Sequence, residues 1–317
     1  MAKTTTTTKA KTKTTKKKPT VKAAAKTTKS SATKAKRTTA KAAVKSTKTV
    51  KSAKSNAAKK VVRKTSNSKF AFLRRGQVLL GGLFAALAVA AGFFMTNDSA
   101  QVFVGHLAKD ELASRAGTVL APAAHVLYEV EFRWLVVALL VVSAVIAILR
   151  GTRYKVIEDA GIKYRVQPLR WIDFAITGAL AFEIAALLNG LQDAVALKAS
   201  MVSIGLAALF AWVYERENAA TGKPARVSYI ASVIAVLVPV FALLATMVAT
   251  NVYGVVRSPW YAYAAAAVVS ISLLWTVRKQ LTASASNYFF TDRSYNRVSV
   301  LTKVTLAVIL IAGLYSK

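Results

Sequence analysis

The chain has 317 residues, of which 55% are hydrophobic, yet it carries a formal net charge of +32 at pH 7. A single soluble domain does not combine these two properties, and the charge proves to be concentrated at one end. Residues 1–75 contain 25 Lys or Arg and no Asp or Glu. The absence of cysteine excludes disulfides, Cys-ligated zinc and thiol catalysis.

Residues 1–69 form a segment rich in Lys, Thr and Ala, with very little apolar surface. Such a composition cannot bury enough apolar area to offset the entropy of ordering the chain, so we predict a disordered tail. Its positive charge favours contact with anionic lipid at about 1 kcal/mol per basic residue near the surface. Sequence-independent binding to nucleic acid is the less favoured alternative, since no aromatic residues are interleaved for base stacking.

The rest of the chain, 70–317, contains seven apolar runs of the length that an α-helix needs to cross a bilayer. In hydrocarbon the backbone must pair internally, so each run is predicted to be helical. The fold class is therefore an all-α membrane protein with a seven-helix bundle. The predicted spans are 76–96, 133–149, 171–189, 194–213, 228–250, 259–277 and 296–315.

Basic residues in the predicted loops indicate the orientation. The loops on the side of the tail contain 13 Lys or Arg, and the loops on the other side contain 5. Because cytoplasmic loops carry the excess of Lys and Arg, we predict a cytoplasmic N-terminus and an extracellular C-terminus in the plasma membrane.

The connection between the first two spans, 97–132, is the long one. Its stretch from His125 to Phe132 alternates apolar and polar residues. That alternation predicts a β-strand or hairpin on the extracellular side.

Charged residues inside spans are costly and therefore mark candidate sites. Lys303 lies about seven residues into the last span, and Asp173 lies near the start of the third. A buried lysine readily becomes a nucleophilic amine that condenses with an aldehyde, whereas the alternative is a structural ion pair with a carboxylate. Asp173 is expected to face Lys303, to pair with Arg170 one turn earlier, or to serve both.

Glu183 and Lys198 form a second candidate pair, because only a short connection separates the third and fourth spans. We interpret them as a structural salt bridge across a helical hairpin in preference to transport groups.

Several motifs, in order and at matching spacing, resemble the heliorhodopsin family. Arg170-Trp-Ile-Asp173 resembles the family's Arg-Trp-x-Glu, and 209–215 resembles its Leu-Phe-Gly-Trp-x-x-Glu. Residues 286–295 are similar to its Ser-Asn-Tyr followed by Glu-Arg-x-Tyr, and Leu301-Thr-Lys303 falls on its retinal-binding lysine. The resemblance covers about 70–317.

The resemblance implies a light sensor that binds all-trans retinal as a Schiff base on Lys303, with Asp173 as the counterion. Ser299 and Thr177 would place hydroxyls one turn from these two residues. Phe174 and Pro239 fall at retinal-pocket positions. The family also implies a membrane-embedded homodimer and no enzymatic activity, in keeping with the lack of any enzyme signature in the sequence.

The chain departs from the family pattern at four positions. Gly82 and about Ala147 stand where the family has cavity histidines, and Val240 and Val308 stand where it has aromatic residues around retinal. Trp275 and Phe241 are candidates to replace that packing. Two alternatives to the sensor therefore stay open: a light-driven transporter or channel, and a basic-tailed membrane scaffold that has lost its chromophore.

Overall fold

The computed structural model describes residues 75–109, 120–254, 258–281 and 288–315. The predicted disordered tail lies outside these residues and stays a prediction. In chain order the elements are α1 (Arg75–Phe94), β1 (Ser99–Lys109), β2 (Leu120–Glu131), α2 (Phe132–Gly151), α3 (Lys155–Tyr164), α4 (Pro168–Leu188), α5 (Ala194–Thr221), α6 (Arg226–Tyr253), α7 (Trp260–Leu281) and α8 (Tyr288–Tyr315).

Seven of these helices, all except α3, are long and apolar enough to cross a membrane. The predicted seven-helix fold is therefore confirmed, and the chain is a multi-pass membrane protein. Two helices extend furthest beyond the predicted spans: α5 continues to Thr221, and α8 already includes Tyr288. Both extensions carry a buried carboxylate that has a cationic partner, so the charge does not end the helix.

The predicted hairpin is also confirmed. β1 and β2 pair antiparallel, with an irregularity between Val102 and Phe103. The Phe103 amide donates a hydrogen bond of 3.0 Å to the carbonyl of Gln192, which joins the hairpin to the connection between α4 and α5. β2 ends at Glu131, one residue before the predicted end, because Phe132 is buried and begins α2. We call this end of the bundle the hairpin side.

The helix α3 lies between α2 and α4, on the side opposite the hairpin, and was not predicted. Gly161 allows it to pack closely, since a Cβ at this residue would lie 2.7 Å from the carbonyl oxygen of Val166. Arg165 follows the helix in the left-handed conformation, with φ of 64°, and ends it.

The core of the bundle forms around α4, which packs against α2, α5 and α7. Small residues let the backbones approach closely, as is usual between helices in membranes. The fully buried alanines include Ala185, Ala186, Ala207, Ala211, Ala262 and Ala265. The central helix α4 therefore places its polar residues where α7 and α8 can reach them.

Candidate functional site

Lys303 and Asp173 meet inside the bundle. The Nζ atom of Lys303 lies 2.9 Å from Oδ1 and 3.2 Å from Oδ2 of Asp173. Both side chains are buried, with 7% and 12% of their surface exposed. The predicted pair is present, and mutual neutralisation explains how two ionisable groups occupy an apolar bundle.

Thr177 and Phe84 complete the surroundings of this pair. The Thr177 hydroxyl donates 2.7 Å to the backbone carbonyl of Asp173 and also lies 3.4 Å from its Oδ1. The ring of Phe84 lies with its centroid 5.6 Å from the Lys303 Nζ. The amine therefore has a carboxylate near it and an aromatic face beside it, both of which stabilise a cation.

A cavity opens beside the pair, and the space between its surrounding atoms, open solvent included, is about 610 Å³. It lies between α4, α7 and α8, with an end of charged and polar groups and a wall that includes Gly178, Ala181, Val269 and Leu273. Asp173, Phe174, Thr177, Ser299 and Lys303 line it, so the structure brings five of the six predicted site residues together.

Pro239 is the sixth predicted residue, and it does not line this cavity. It is buried inside α6, a helix that contributes no lining residue here.

A smaller cavity of about 300 Å³ adjoins the same pair from the side of α1 and α2. It shares Asp173, Ser299 and Lys303 with the larger cavity, and it adds Gln77 and Ser143. Both added side chains are buried. The lysine amine therefore stands between a largely apolar space and one of mixed polarity.

Arg170, one turn before Asp173 on α4, lies at the centre of a second buried cluster. Its Nη1 donates 2.7 Å to Oδ1 of Asp292, and its Nη2 donates to Oε1 of Glu215. The backbone N–H of Gln167 donates 3.2 Å to the other oxygen of Glu215. The guanidinium lies over the rings of Trp171 and Tyr295, at 5.1 and 4.3 Å from their centroids. This Arg170 cluster joins α4, α5 and α8.

Two results correct the sequence interpretation. The structure gives Asp173 the Lys303 amine as ion-pair partner and gives Arg170 two other carboxylates. Glu215 and Asp292, which the predicted span limits left outside the membrane, lie in spanning helices and are 5% and 1% exposed. The predicted limits of these two spans therefore left out two buried carboxylates that the helices contain. The sequence contained a signal for both residues, since Glu215 and Asp292 each lie within a motif that resembles one of the family's.

Glu183 and Lys198 also meet, as predicted. The Lys198 Nζ donates 2.8 Å to Oε1 of Glu183 near the hairpin side. Lys198 has 51% of its side chain exposed, whereas Glu183 has 7%. The lysine therefore extends to the surface, in the manner of a snorkelling side chain.

The residues considered as replacements for the family's pocket aromatics lie elsewhere. Phe241 and Trp275 are exposed on the outside of the bundle, as is Val308, and Val240 is buried away from the cavity. The aromatic residues that do line the cavity are Trp171, Phe174 and Tyr295. Within the described part of the chain, no group of three His, Asp or Glu residues is placed to hold a metal ion.

Comparison with known proteins adds one match. The family model described as Heliorhodopsin matches residues 73–314. A search of the curated proteins found no match. The matched range includes the ionisable clusters described above, the hairpin and all seven spanning helices apart from Tyr315, the last residue of α8. The chain belongs to the heliorhodopsin family.

Proposed function

We propose that the protein is a membrane photoreceptor that binds all-trans retinal on Lys303 and acts as a light sensor. The family implies a rhodopsin-type membrane photoreceptor, and its members in general bind retinal. The observation that carries the proposal for this chain is the Lys303–Asp173 pair, which is buried, 2.9 Å apart and beside the cavity between α4, α7 and α8.

The chemistry of attachment is a condensation. The Lys303 nitrogen attacks the aldehyde carbon of retinal, an imine forms, and one water molecule leaves. Bound retinal supplies absorption of visible light and the geometric change that follows it. The protein supplies a buried amine, an adjacent carboxylate and a largely apolar cavity beside them.

Asp173 is the proposed counterion. A carboxylate 2.9 Å from the lysine nitrogen stabilises a cation there after attachment as it does before. The Thr177 hydroxyl, one turn away, also lies 3.4 Å from Oδ1 of the Asp173 side chain. Ser299 stands on the same face of α8 as Lys303 and borders both cavities. It is the proposed hydroxyl partner of the linkage.

The cavity residues fit a polyene. Phe174 meets Trp171 edge to face at 6.0 Å, which gives the cavity a rigid aromatic flank. Gly178 also lines the cavity, and its lack of a side chain lets α5 pack closely, because a Cβ there would lie 3.3 Å from Cγ2 of Ile204. Pro239 lies in α6 and does not line the cavity. It contacts retinal in this proposal only where the far end of the ligand reaches α6.

A sensor is favoured over a transporter by the state of the buried carboxylates. Each of Asp173, Glu183, Glu215 and Asp292 has a cationic partner in the structure. Carboxylates engaged in ion pairs with lysine or arginine are typical of structural or counterion roles, which favours the sensor. Light-induced current in a voltage-clamped cell separates the two functions, and the sensor requires that none is detected.

The experiment that tests retinal binding is a visible absorption spectrum of membranes expressing the protein with added all-trans retinal. We expect a visible band that hydroxylamine removes and that Lys303→Ala lacks. Lys279→Ala, which removes a basic residue from the end of α7, is the matched control and is expected to keep the band. A folded protein without a band would support the chromophore-less scaffold instead.

The orientation is part of the proposal. We propose that the hairpin side is extracellular and that α3 faces the cytoplasm, as the distribution of basic residues predicts. The chain has no native cysteine, so one introduced at exposed His106 in the hairpin reacts with an impermeant thiol reagent in intact cells only if this orientation is correct.

A further inference from the structure

The short helix α3 has an apolar face that no other described part of the chain covers. Val156, Ile157 and Tyr164 are 70%, 45% and 64% exposed. On a helix with 3.6 residues per turn these three positions fall on one side. Asp159, which the same spacing places away from these three residues, is half-buried. The helix is amphipathic, and its apolar side points away from the bundle.

Basic side chains surround this face. Arg153 and Lys163 are exposed, as is Arg165 just after the helix. The Lys163 Nζ lies 5.0 Å from the ring centroid of Tyr164, so the aromatic face and the positive charge are presented together. Apolar and aromatic residues with a basic rim are the pattern of helices that lie in a membrane interface.

The position of α3 in the chain selects the membrane as its partner. It begins four residues after α2 ends and finishes four residues before α4 begins, and both neighbours are spanning helices. A helix tethered so closely at both ends stays at the level of the lipid headgroups. The exposed apolar face then meets acyl chains, and the basic rim meets phosphates.

The packing of α3 holds it in one orientation. Gly161 lies against Val166 and Gln167, and the Gln167 N–H donates to buried Glu215 of the Arg170 cluster. The C-terminal end of α3 is therefore held against the bundle through the connection to α4.

We infer that α3 is an anionic-lipid-binding helix, with Val156, Ile157 and Tyr164 in the bilayer interface and with Arg153, Lys163 and Arg165 on lipid phosphates. This site is separate from the retinal cavity, because none of these six residues lines it. The inference holds whether or not retinal binds.

The test uses the absence of native cysteine. Val156→Cys carries a bimane fluorophore, and the full chain is placed in nanodiscs that contain brominated phosphatidylcholine or brominated phosphatidylglycerol at equal mole fraction. Lys223→Cys, in the exposed turn between α5 and α6 on the same side of the bundle, is the control. We expect strong quenching of the Val156 label by brominated lipid and little quenching of the Lys223 label.

The headgroup preference is tested in the same sample. Brominated phosphatidylglycerol should quench the Val156 label more than brominated phosphatidylcholine does. Adding Arg153→Gln and Lys163→Gln should abolish that difference, since the remaining quenching then depends on the apolar face alone. Tyr164→Cys repeats the measurement from a second exposed position, which guards against a local disturbance at residue 156.

Three outcomes would overturn the inference. Equal quenching of the Val156 and Lys223 labels would place α3 in water. Equal quenching by the two brominated lipids, in the protein that keeps Arg153 and Lys163, would show that α3 has no preference for anionic lipid. A Val156 label shielded from water but not quenched by either lipid would show that a second copy of the chain covers the face.

Discussion

The protein contains two lysine–carboxylate pairs that share the helix α4, and they differ in exposure. Asp173 pairs with Lys303 at 2.9 Å, and Glu183 pairs with Lys198 at 2.8 Å. The lysine side chain is 7% exposed in the first pair and 51% exposed in the second. Nitrogen–oxygen distance alone does not distinguish the two pairs.

Exposure decides what each lysine can do. An amine that reaches the surface keeps its hydration and remains a charged, unreactive group. Lys303 depends on Asp173 for its charge balance and adjoins the cavity that fits a ligand. The difference shows that a buried ion pair is evidence for a site when a cavity accompanies it, because a salt bridge by itself adds little net stability.

The Arg170 cluster extends this comparison to a cation with two buried carboxylates. Arg170→Gln would leave Glu215 and Asp292 in an apolar environment without their cation. We expect the free energy of unfolding to fall by about 5 kcal/mol, the upper end of the range for breaking a buried pair. Chemical denaturation in mild detergent micelles, followed by circular dichroism, measures the loss.

Arg216 supplies the control for this prediction, because it follows Glu215 on α5 and is exposed. Arg216→Gln should change the free energy of unfolding by no more than about 0.5 kcal/mol. An Arg170→Gln protein as stable as Arg216→Gln would mean that the cluster contributes no net stability.

The Lys303–Asp173 pair should show a smaller loss, because each single change leaves one lone charge. In protein without retinal, Lys303→Met or Asp173→Asn is expected to lower the free energy of unfolding by about 3 kcal/mol. The double variant should recover most of that loss, since it removes both charges. Losses that simply add would show that the two side chains are not coupled.

Much of this architecture was predictable from the sequence. Hydropathy and length gave seven spans, and the alternation from His125 gave the hairpin. Lys303 and Asp173 were identified because charges in apolar runs are rare and must be compensated. These features depend on local composition, which a single sequence contains.

The Arg170 cluster and α3 were not predictable in the same way. In the sequence, Glu215 and Asp292 lie just outside the predicted spans. Only the packing of α5 and α8 on α4 brings them to Arg170. The helix α3 is short, and its apolar positions are too few to give a clear period. Both features depend on contacts between residues that are distant in the chain.

The Glu183–Lys198 pair has the smallest expected effect, and the effect differs between its two partners. Glu183 has 7% of its side chain exposed, so Lys198→Met leaves a buried carboxylate without its partner. Glu183→Gln leaves only a lysine that already reaches the surface. We expect a loss of about 1–2 kcal/mol for Lys198→Met and no more than about 0.5 kcal/mol for Glu183→Gln. The same denaturation measurement in micelles compares them.

The asymmetry between these two variants is the informative quantity, because an ion pair with equal burial on both sides would lose similar amounts from either end. Equal losses near 3 kcal/mol would make Glu183–Lys198 a second buried pair equivalent to Lys303–Asp173. Absorption should agree with the stability result: Lys198→Met should keep the visible band formed with retinal, since Lys198 lines no part of the cavity around Lys303. Loss of the band in that variant would mean that the hairpin-side pair helps to shape the retinal site.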